Sequence, residues 1–448
     1  MNVIHFKKGY NLHIKGRPTM ERKDLPQPTR VALLPERIPF IKPRLLVEAN
    51  DTVAVGTPLI EDKRLTDIKF MSPGGGKVTE INFGPRRVIR EIVIQIDHAE
   101  NFESFDVLTE SDLAQVERPE LVQRLIQGGL WPVFKELPFR DYPHPETVPP
   151  AIYVQLDSLE PFQPDPEIYL EDKHGHFDFG MRILTKLTSQ VYVSVGQDKN
   201  GAIERLKAWI THAYSGNYPA HDAGVLLYRT KTNPEENRAW VIKGQDLLLL
   251  ADFFTKGRYP TERTVVLAGS LAPEPRHYRT RLGIPVQHLL PDGYTPEKTP
   301  RYVVGGVLTG YSVPENSYLG MLETSLIMIP EGNEKGEFLG FVRPGFKRPS
   351  YSRTFTSYLN KNPLKMDCNR HGGLRACVAC NYCPEVCPVD ILPQLAYKAI
   401  LVEEVEEYLQ HGLLDCVECG LCSYVCPSKI ELVETLKKAK AEYYKEMV

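Results

Sequence analysis

Eight of the nine cysteines in this 448-residue chain fall into two runs of identical spacing. The first is Cys377, Cys380, Cys383 and Cys387, followed by Pro388; the second is Cys416, Cys419, Cys422 and Cys426, followed by Pro427. No cysteine precedes Cys368. A secreted disulfide framework spreads its thiols along the chain, whereas tight clusters in a reducing compartment point to metal or redox chemistry. Each run reads C-x2-C-x2-C-x3-C-P, the ferredoxin spacing for a 4Fe–4S cluster. Three thiolates two residues apart wrap one loop around three corners of a cube. The fourth does not fold back easily, and in two-cluster ferredoxins it ligates the other cluster. Structural zinc takes two C-x2-C pairs with a longer gap, and two identical quartets with a proline after each exceed that need. All eight cysteines are therefore candidate ligands to two 4Fe–4S clusters. Loop amides, that of Gly420 among them, are placed to bond the sulfides and tune their potential. Cys368 stands outside the quartets and is read as a bystander thiol.

The rest of the composition excludes several classes. At 42% hydrophobic and 25% charged residues the chain is an ordinary globular protein, and its net charge of -3 offers no field for non-specific nucleic-acid binding. No stretch reaches the roughly 18 apolar residues of a membrane span; Leu247–Ala251 with Phe253 and Phe254 is short and carries Asp252. Met1–Lys15 lacks the apolar core of a signal peptide. A cytoplasmic protein is expected, peripheral at most on a membrane complex.

Periodicity divides the chain into a multidomain α+β arrangement: 1–103, an N-terminal segment with a β domain; 104–260, an α/β domain; 261–345, a small mixed β domain; and 346–448, helical around the cysteines. In the first, Lys42–Glu61 and Ser72–Ile81 look like the two halves of a biotinyl/lipoyl-type barrel-sandwich. Lys63 lies where such domains carry a modified lysine, but the fold is read as borrowed without the cofactor. In the second, Leu121, Val122, Leu125 and Ile126 make a helical face ended by Gly128 and Gly129, while Ala151–Leu156 and Val191–Val195 read as buried strands. Ile203 to Ile210 and Gln245–Thr255 read as helices, the latter closed by Gly257. Strand–helix alternation predicts a Rossmann-like layer. In the third, Thr264–Ala268, Tyr302–Val304 and Ser325–Ile329 read as strands of a β-grasp-like (SLBB) domain. Gly305, Gly306 and Gly310 are read as a tight turn rather than a phosphate loop. Val389–Asp415 reads as a long helical stretch, and Glu403, Glu404, Glu406 and Glu407 as a solvated acidic face.

This order of domains resembles the NqrA family, whose members belong to Na+-translocating NADH:quinone oxidoreductases, and its paralogue in the Rnf ferredoxin:NAD+ complex, RnfC. The likeness rests on Lys7–Thr19, Phe70–Ile89 and above all Gln127–Pro143, QGGLWPVFKELPFRDYP. In the Rnf protein this last place holds a glycine-rich loop of the type GGAGFPT that cradles flavin and nicotinamide; here Leu130 and Trp131 stand where small residues would let a phosphate approach. The resemblance thus implies an NADH:quinone reductase component without FMN or an NADH site of its own, docked on the membrane-embedded NqrB partner (the B subunit), with quinone as a candidate ligand. No catalytic residue is assigned. The tail departs from familiar NqrA proteins, which have lost most of these cysteines, and keeps them as the Rnf protein does. An Rnf-type electron-entry component, or an adaptor whose clusters merely hold helices together, are the alternative readings.

Overall fold

The computed structural model describes residues 1–332, 349–351, 359–360, 362–370 and 372–447. The expected boundary at 345 lies outside them.

The N-terminal β domain is two facing sheets. One orders Arg30–Leu33, Ile89–Ile96, Gly76–Phe83 and Thr52–Val53; the other orders Pro43–Leu45, Pro58–Asp62 and Leu65–Met71. Alternation explains the pairing. Ile92 and Ile94 turn inward beside Val31, Val53, Ile60 and Phe70, all buried, as the two-residue side-chain period of a strand requires. Lys63 is exposed at the turn between Pro58–Asp62 and Leu65–Met71. Its neighbour Arg64 turns inward instead, donating to Asp62 Oδ2 (2.9 Å) and Asp141 Oδ2 (2.5 Å).

The sheet of the second, α/β domain orders Asn2–Phe6, His212–Gly216, Val191–Gly196, Ile152–Gln155, Trp240–Lys243 and Lys135–Glu136. All neighbours are parallel except the last pair. A parallel sheet needs both faces covered. Ile152, Val154, Trp240 and Ile242 face the helices His174–Leu187 and Gly244–Lys256, whose core is continuous with that of the first domain. Tyr153 and Val241 face the other way, against Leu226, Leu413, Leu436 and the thiol-bearing Cys387 and Cys416. The cysteine-rich tail is therefore the second cover of this sheet. The helix Gly244–Lys256 ends on Gly257 in the left-handed region (φ 60°), as its sequence predicts.

The sheet of the third domain orders Tyr311–Val313, Pro300–Val304, Ser325–Pro330, Glu262–Ala268, Arg276–Arg281 and Arg22–Asp24. Within residues 1–103, the segment ahead of the barrel-sandwich sends its strands to two other sheets. Asn2–Phe6 is an edge strand of the α/β sheet, and Arg22–Asp24 an edge of the third domain's sheet. The segment before Arg30 is thus a strap across two later layers, a placement set by distant edges that local pattern does not report.

Two helical expectations are also corrected. Beyond Asn200–Arg205 the helix gives way at Leu206 to turns, with Trp209 N and Ile210 N both donating to Leu206 O, and the Trp209 Nε1 donates to Asp178 Oδ1 (2.6 Å). Val389–Asp415 is broken into Pro393–Leu401, Val405–Gln410 and a 3-10 turn at Leu413–Asp415, with Glu403 in the left-handed region (φ 59°) at the break. Glu403, Glu404, Glu406 and Glu407 are all exposed.

Candidate metal centre

The two cysteine runs fold as conformational copies of each other. Ala379 and Glu418 occupy the left-handed region at φ 52° and 59°, Asn381 and Gly420 at 62° and 80°, and Asp390 and Lys429 at 53° and 59°. Each pair sits at the same position relative to its motif. Non-glycine residues rarely take this conformation, and the repetition means the loop between thiols is wound the same way twice. After each loop a short helix begins, Tyr382–Val386 carrying Cys383 and Leu421–Tyr424 carrying Cys422.

The fourth cysteine of each run crosses over. Cys387 lies within electrostatic range of Cys416, Cys419 and Cys422. Cys426 lines one small cavity with Cys377, Cys380 and Cys383. The runs are also stitched by backbone and side-chain bonds: Arg375 N to Ser428 O (2.9 Å), Arg375 Nη2 to Pro427 O (2.6 Å) and Ser428 Oγ to Ala376 O (2.8 Å). Among the described residues no three His, Cys, Asp or Glu side chains are gathered to hold a single metal ion; a cubane spreads its four thiolates over separate irons.

The two sets differ in depth. Cys387 and Cys416 are buried against the α/β sheet, whereas Cys377 and Cys380 are exposed. The first set is the inner one, the second the outer. The inner set is anchored on every side. Tyr218 Oη donates to Cys419 O (2.7 Å), and the buried Lys440 donates to Cys416 O (2.7 Å). Gly420 packs so closely on the Leu308 carbonyl that a Cβ would meet its oxygen at 2.7 Å. Arg229 donates to Pro388 O (3.2 Å), and Lys8 to Pro384 O (3.0 Å). Burial pushes the Cys416 thiol up to about 11 and the Cys383 thiol to about 12, so a thiolate there needs positive charge beside it, which iron supplies. Backbone amides of Val389 and Ile391 bond the Cys387 sulfur, and that of Leu421 the Cys419 sulfur. Donor type, number, crossing and sulfur-directed amides all fit cubane clusters. A bound 4Fe–4S cluster supplies one-electron transfer, and the chain supplies its ligands, its shielding and its surroundings. Cys368 lies beside Arg301 and Glu331, outside either set of four.

The other singled-out residues find structural places. Trp131 is fully buried, its ring centroid 5.4 Å from that of Trp240 and its Nε1 donating to Pro143 O (2.7 Å). A Cβ on Gly128 would meet Phe253 at 2.3 Å, and one on Gly129 would meet Met71 at 2.4 Å. These glycines serve close packing. The Gly305–Gly310 turn has its Leu308 and Thr309 amides satisfied by the Glu160 carboxylate (2.9 Å each), for which Gly306 leaves room.

Sequence reasoning missed two cavities that flank the inner set. One, of about 360 Å³, lies between the ends of Ile152–Gln155 and Trp240–Lys243, the 304–310 turn and the Val417–Cys419 loop. The other, of about 620 Å³, is lined by Phe139, Tyr142, Tyr228, Tyr443, Tyr444 and Cys416. Both are assembled from segments far apart in the chain, so no local signal announces them.

Comparison with known proteins agrees with this architecture. The family model described as the NqrA N-terminal barrel-sandwich hybrid domain matches residues 4–97, the NqrA second alpha/beta domain matches 116–259, and the 4Fe-4S dicluster domain matches 376–430. The fold and the paired cysteine sets thus define a multidomain iron–sulfur protein. Curated relatives, each named as the NqrA component of the Na(+)-translocating NADH-quinone reductase, come from Tolumonas auensis (32% identical), Saccharophagus degradans (31%) and Neisseria meningitidis (32%), each aligned over 92% of both chains. The chain belongs to the NqrA family of the Na(+)-translocating NADH-quinone reductase. Among solved structures, a chain of an NAD+-reducing [NiFe]-hydrogenase in the H2-reduced state aligns over 52% of each chain at 12% identity and a TM-score of 0.35, too slight a likeness to argue from. Among the described residues no helix is long and apolar enough to cross a membrane.

Proposed function

We propose that this chain is the peripheral, cytoplasmic-side NqrA component of an Na+-translocating NADH:quinone reductase and carries two 4Fe–4S clusters for electron transfer. Cys377, Cys380, Cys383 and Cys426 hold the outer cluster; Cys387, Cys416, Cys419 and Cys422 hold the inner one. The carrying observation is that Cys387 and Cys426 each lie with the other run's thiols, across two loops that enter the left-handed region at matched positions. The α/β domain is Rossmann-like in strand order but has no flavin or NADH site of its own, a reading supported by the buried indole of Trp131 behind Gly128 and Gly129. The third domain's sheet is read as the SLBB domain. NADH oxidation and sodium coupling then belong to other components of the complex, and this chain docks on the membrane-embedded NqrB partner. Quinone is best accommodated in the aromatic cavity of about 620 Å³ beside Cys416, whose lining suits a planar apolar ring.

The test is iron and spectroscopy on anaerobically purified protein. About eight irons per chain are expected, four per thiolate quartet, with the visible absorption of thiolate-to-iron charge transfer. Colourless protein with one or two zincs overturns the reading. Reduction of the isolated chain by NADH alone moves it to an Rnf-type electron-entry component. Clusters that fail to titrate in the working range of the complex leave only a structural role.

A further inference from the structure

The polar cavity between the α/β sheet and the inner set has the position and free charges of a ligand site. The strand order places Ile152–Gln155 between Val191–Gly196, reached by the next crossover, and Trp240–Lys243, reached on the return. The cavity opens at the carboxyl ends of Ile152–Gln155 and Trp240–Lys243, which is the switch point where open α/β sheets bind ligands. Its carboxylates are already engaged. Asp222 holds Arg140 (2.8 Å), Glu160 takes the amides of Leu308 and Thr309, Glu323 accepts from Tyr311 (3.1 Å), Asp157 accepts from Gly196 N (3.1 Å) and Glu418 pairs with Lys440 (3.3 Å). Two exposed cations that line the cavity make no hydrogen bond or ion pair among the described residues: Lys437, and Lys243, whose charge reaches Glu160 and Glu323 without pairing with either.

Two further observations point to an anion. The 13-residue helix Gly244–Lys256 starts in the cavity wall, and its N-cap, Lys243, makes no side-chain cap bond; the positive end of a helix favours negative charge. His221 lines the same cavity at 7% exposure, with Nε2 on Ser158 Oγ (3.0 Å) and Nδ1 without a partner among the described residues. We propose that this cavity binds a small phosphate-bearing molecule, held by Lys243, Lys437 and the start of the Gly244–Lys256 helix, with His221 as its neutral hydrogen-bond partner. The same wall includes Cys419, so the bound anion lies beside the inner set and makes electron addition there harder.

Calorimetric titration of the full, iron-loaded chain at low salt tests this, using pyrophosphate, ADP and citrate, with iron measured on the same samples. Pyrophosphate and ADP bind at one site. Lys243→Gln and Lys437→Gln each weaken them by about tenfold or more, the loss of a charge-assisted bond, with thermal unfolding unchanged because both lysines are exposed. His221→Asn weakens them without loss of iron. ADP binding more tightly than pyrophosphate identifies a nucleotide, and equal binding identifies the phosphates alone as the recognised group. No heat with either phosphate at millimolar concentration, citrate binding as tightly, or binding indifferent to both lysines overturns the proposal. Because iron is measured independently, none of these outcomes depends on the cluster assignment.

Discussion

The Lys440 amine is held out of water between the terminal helix and the inner cysteine loop, 2.7 Å from Cys416 O and 3.3 Å from Glu418 Oε1. Replacing Lys440 by Met leaves the half-buried Glu418 carboxylate and the Cys416 carbonyl without this partner, which costs about 1–2 kcal/mol. Lys440→Met should lower the urea midpoint of the chain and lose inner-set iron before outer-set iron. The crossing of ligands gives a sharper test. Cys387→Ala should impair the cluster of the second motif, Cys426→Ala that of the first, and Cys368→Ala neither, as read by spectra that separate the two clusters. If Cys387→Ala selectively strips its own motif, the crossed geometry is wrong. His221 sets a pH dependence. Burial pushes its pKa down to about 4 from its ordinary 6.5, so its contribution is full above pH 6.5 and is lost as pH falls through 4, on the order of 3 kcal/mol in all. Asp157 acts oppositely. Burial raises it to about 6 from 3.8, so its contribution is present below pH 3.8 and is lost as pH rises through 6. His221→Asn should remove the acid-side loss in urea unfolding measured from pH 7 to 4; an unchanged profile would show that His221 is not the titrating group.

At the scale of elements, what the sequence discloses is what local pattern governs. The cysteine spacing, the strand Ile89–Ile96 and the Gly257-terminated helix follow from periods and caps within a few residues. Asn2–Phe6 does not, because its partner, His212–Gly216, is chosen by an open sheet edge far along the chain. Nor does the role of Gly306, which is defined by the Glu160 carboxylate packed on it. The eight candidate ligand residues were legible as a set, since thiolate spacing is chemistry written in one dimension; the anchors were not, since Tyr218 and Lys8 arrive from other domains and Lys440 from the terminal helix beyond the motifs. The strap itself is testable. Deleting residues 1–8 removes an edge strand and the Lys8–Asp390 pair (2.8 Å). The truncated chain should unfold at lower temperature and release iron faster to a chelator than the full chain does. Equal release rates would show that the strap does not brace the cysteine loops.

For the molecule as a whole, the tail and the α/β sheet share one hydrophobic core, and on the proposed reading the tail also holds iron. Ligand energy in such a domain counts as folding energy. Removing iron under reducing conditions should therefore loosen the cysteine-bearing tail and uncover the sheet face around Tyr153, Leu226 and Val241. The two sheets of the N-terminal domain should persist. Limited proteolysis of apo and iron-loaded protein reads this directly: early cuts within 376–447 in the apo form, with the first 330 residues surviving as a large fragment. Early cuts throughout the chain would mean that the layers fold as one cooperative unit.

The strap also bears on the order in which the chain is made. Asn2–Phe6 leaves the ribosome first, yet its hydrogen-bond partners are at His212–Gly216 and the ion-pair partner of Lys8 is at Asp390. At about 5–20 residues per second of synthesis, the opening strand waits roughly 10–40 s for its edge, and Lys8 roughly twice as long. During that wait it is an unpaired strand with Phe6, buried in the fold, still uncovered, the kind of segment that other chains can capture. The N-terminus is therefore seated in two stages: its strand once His212–Gly216 has emerged, and Lys8 only once the first cysteine run, with Asp390, has been made.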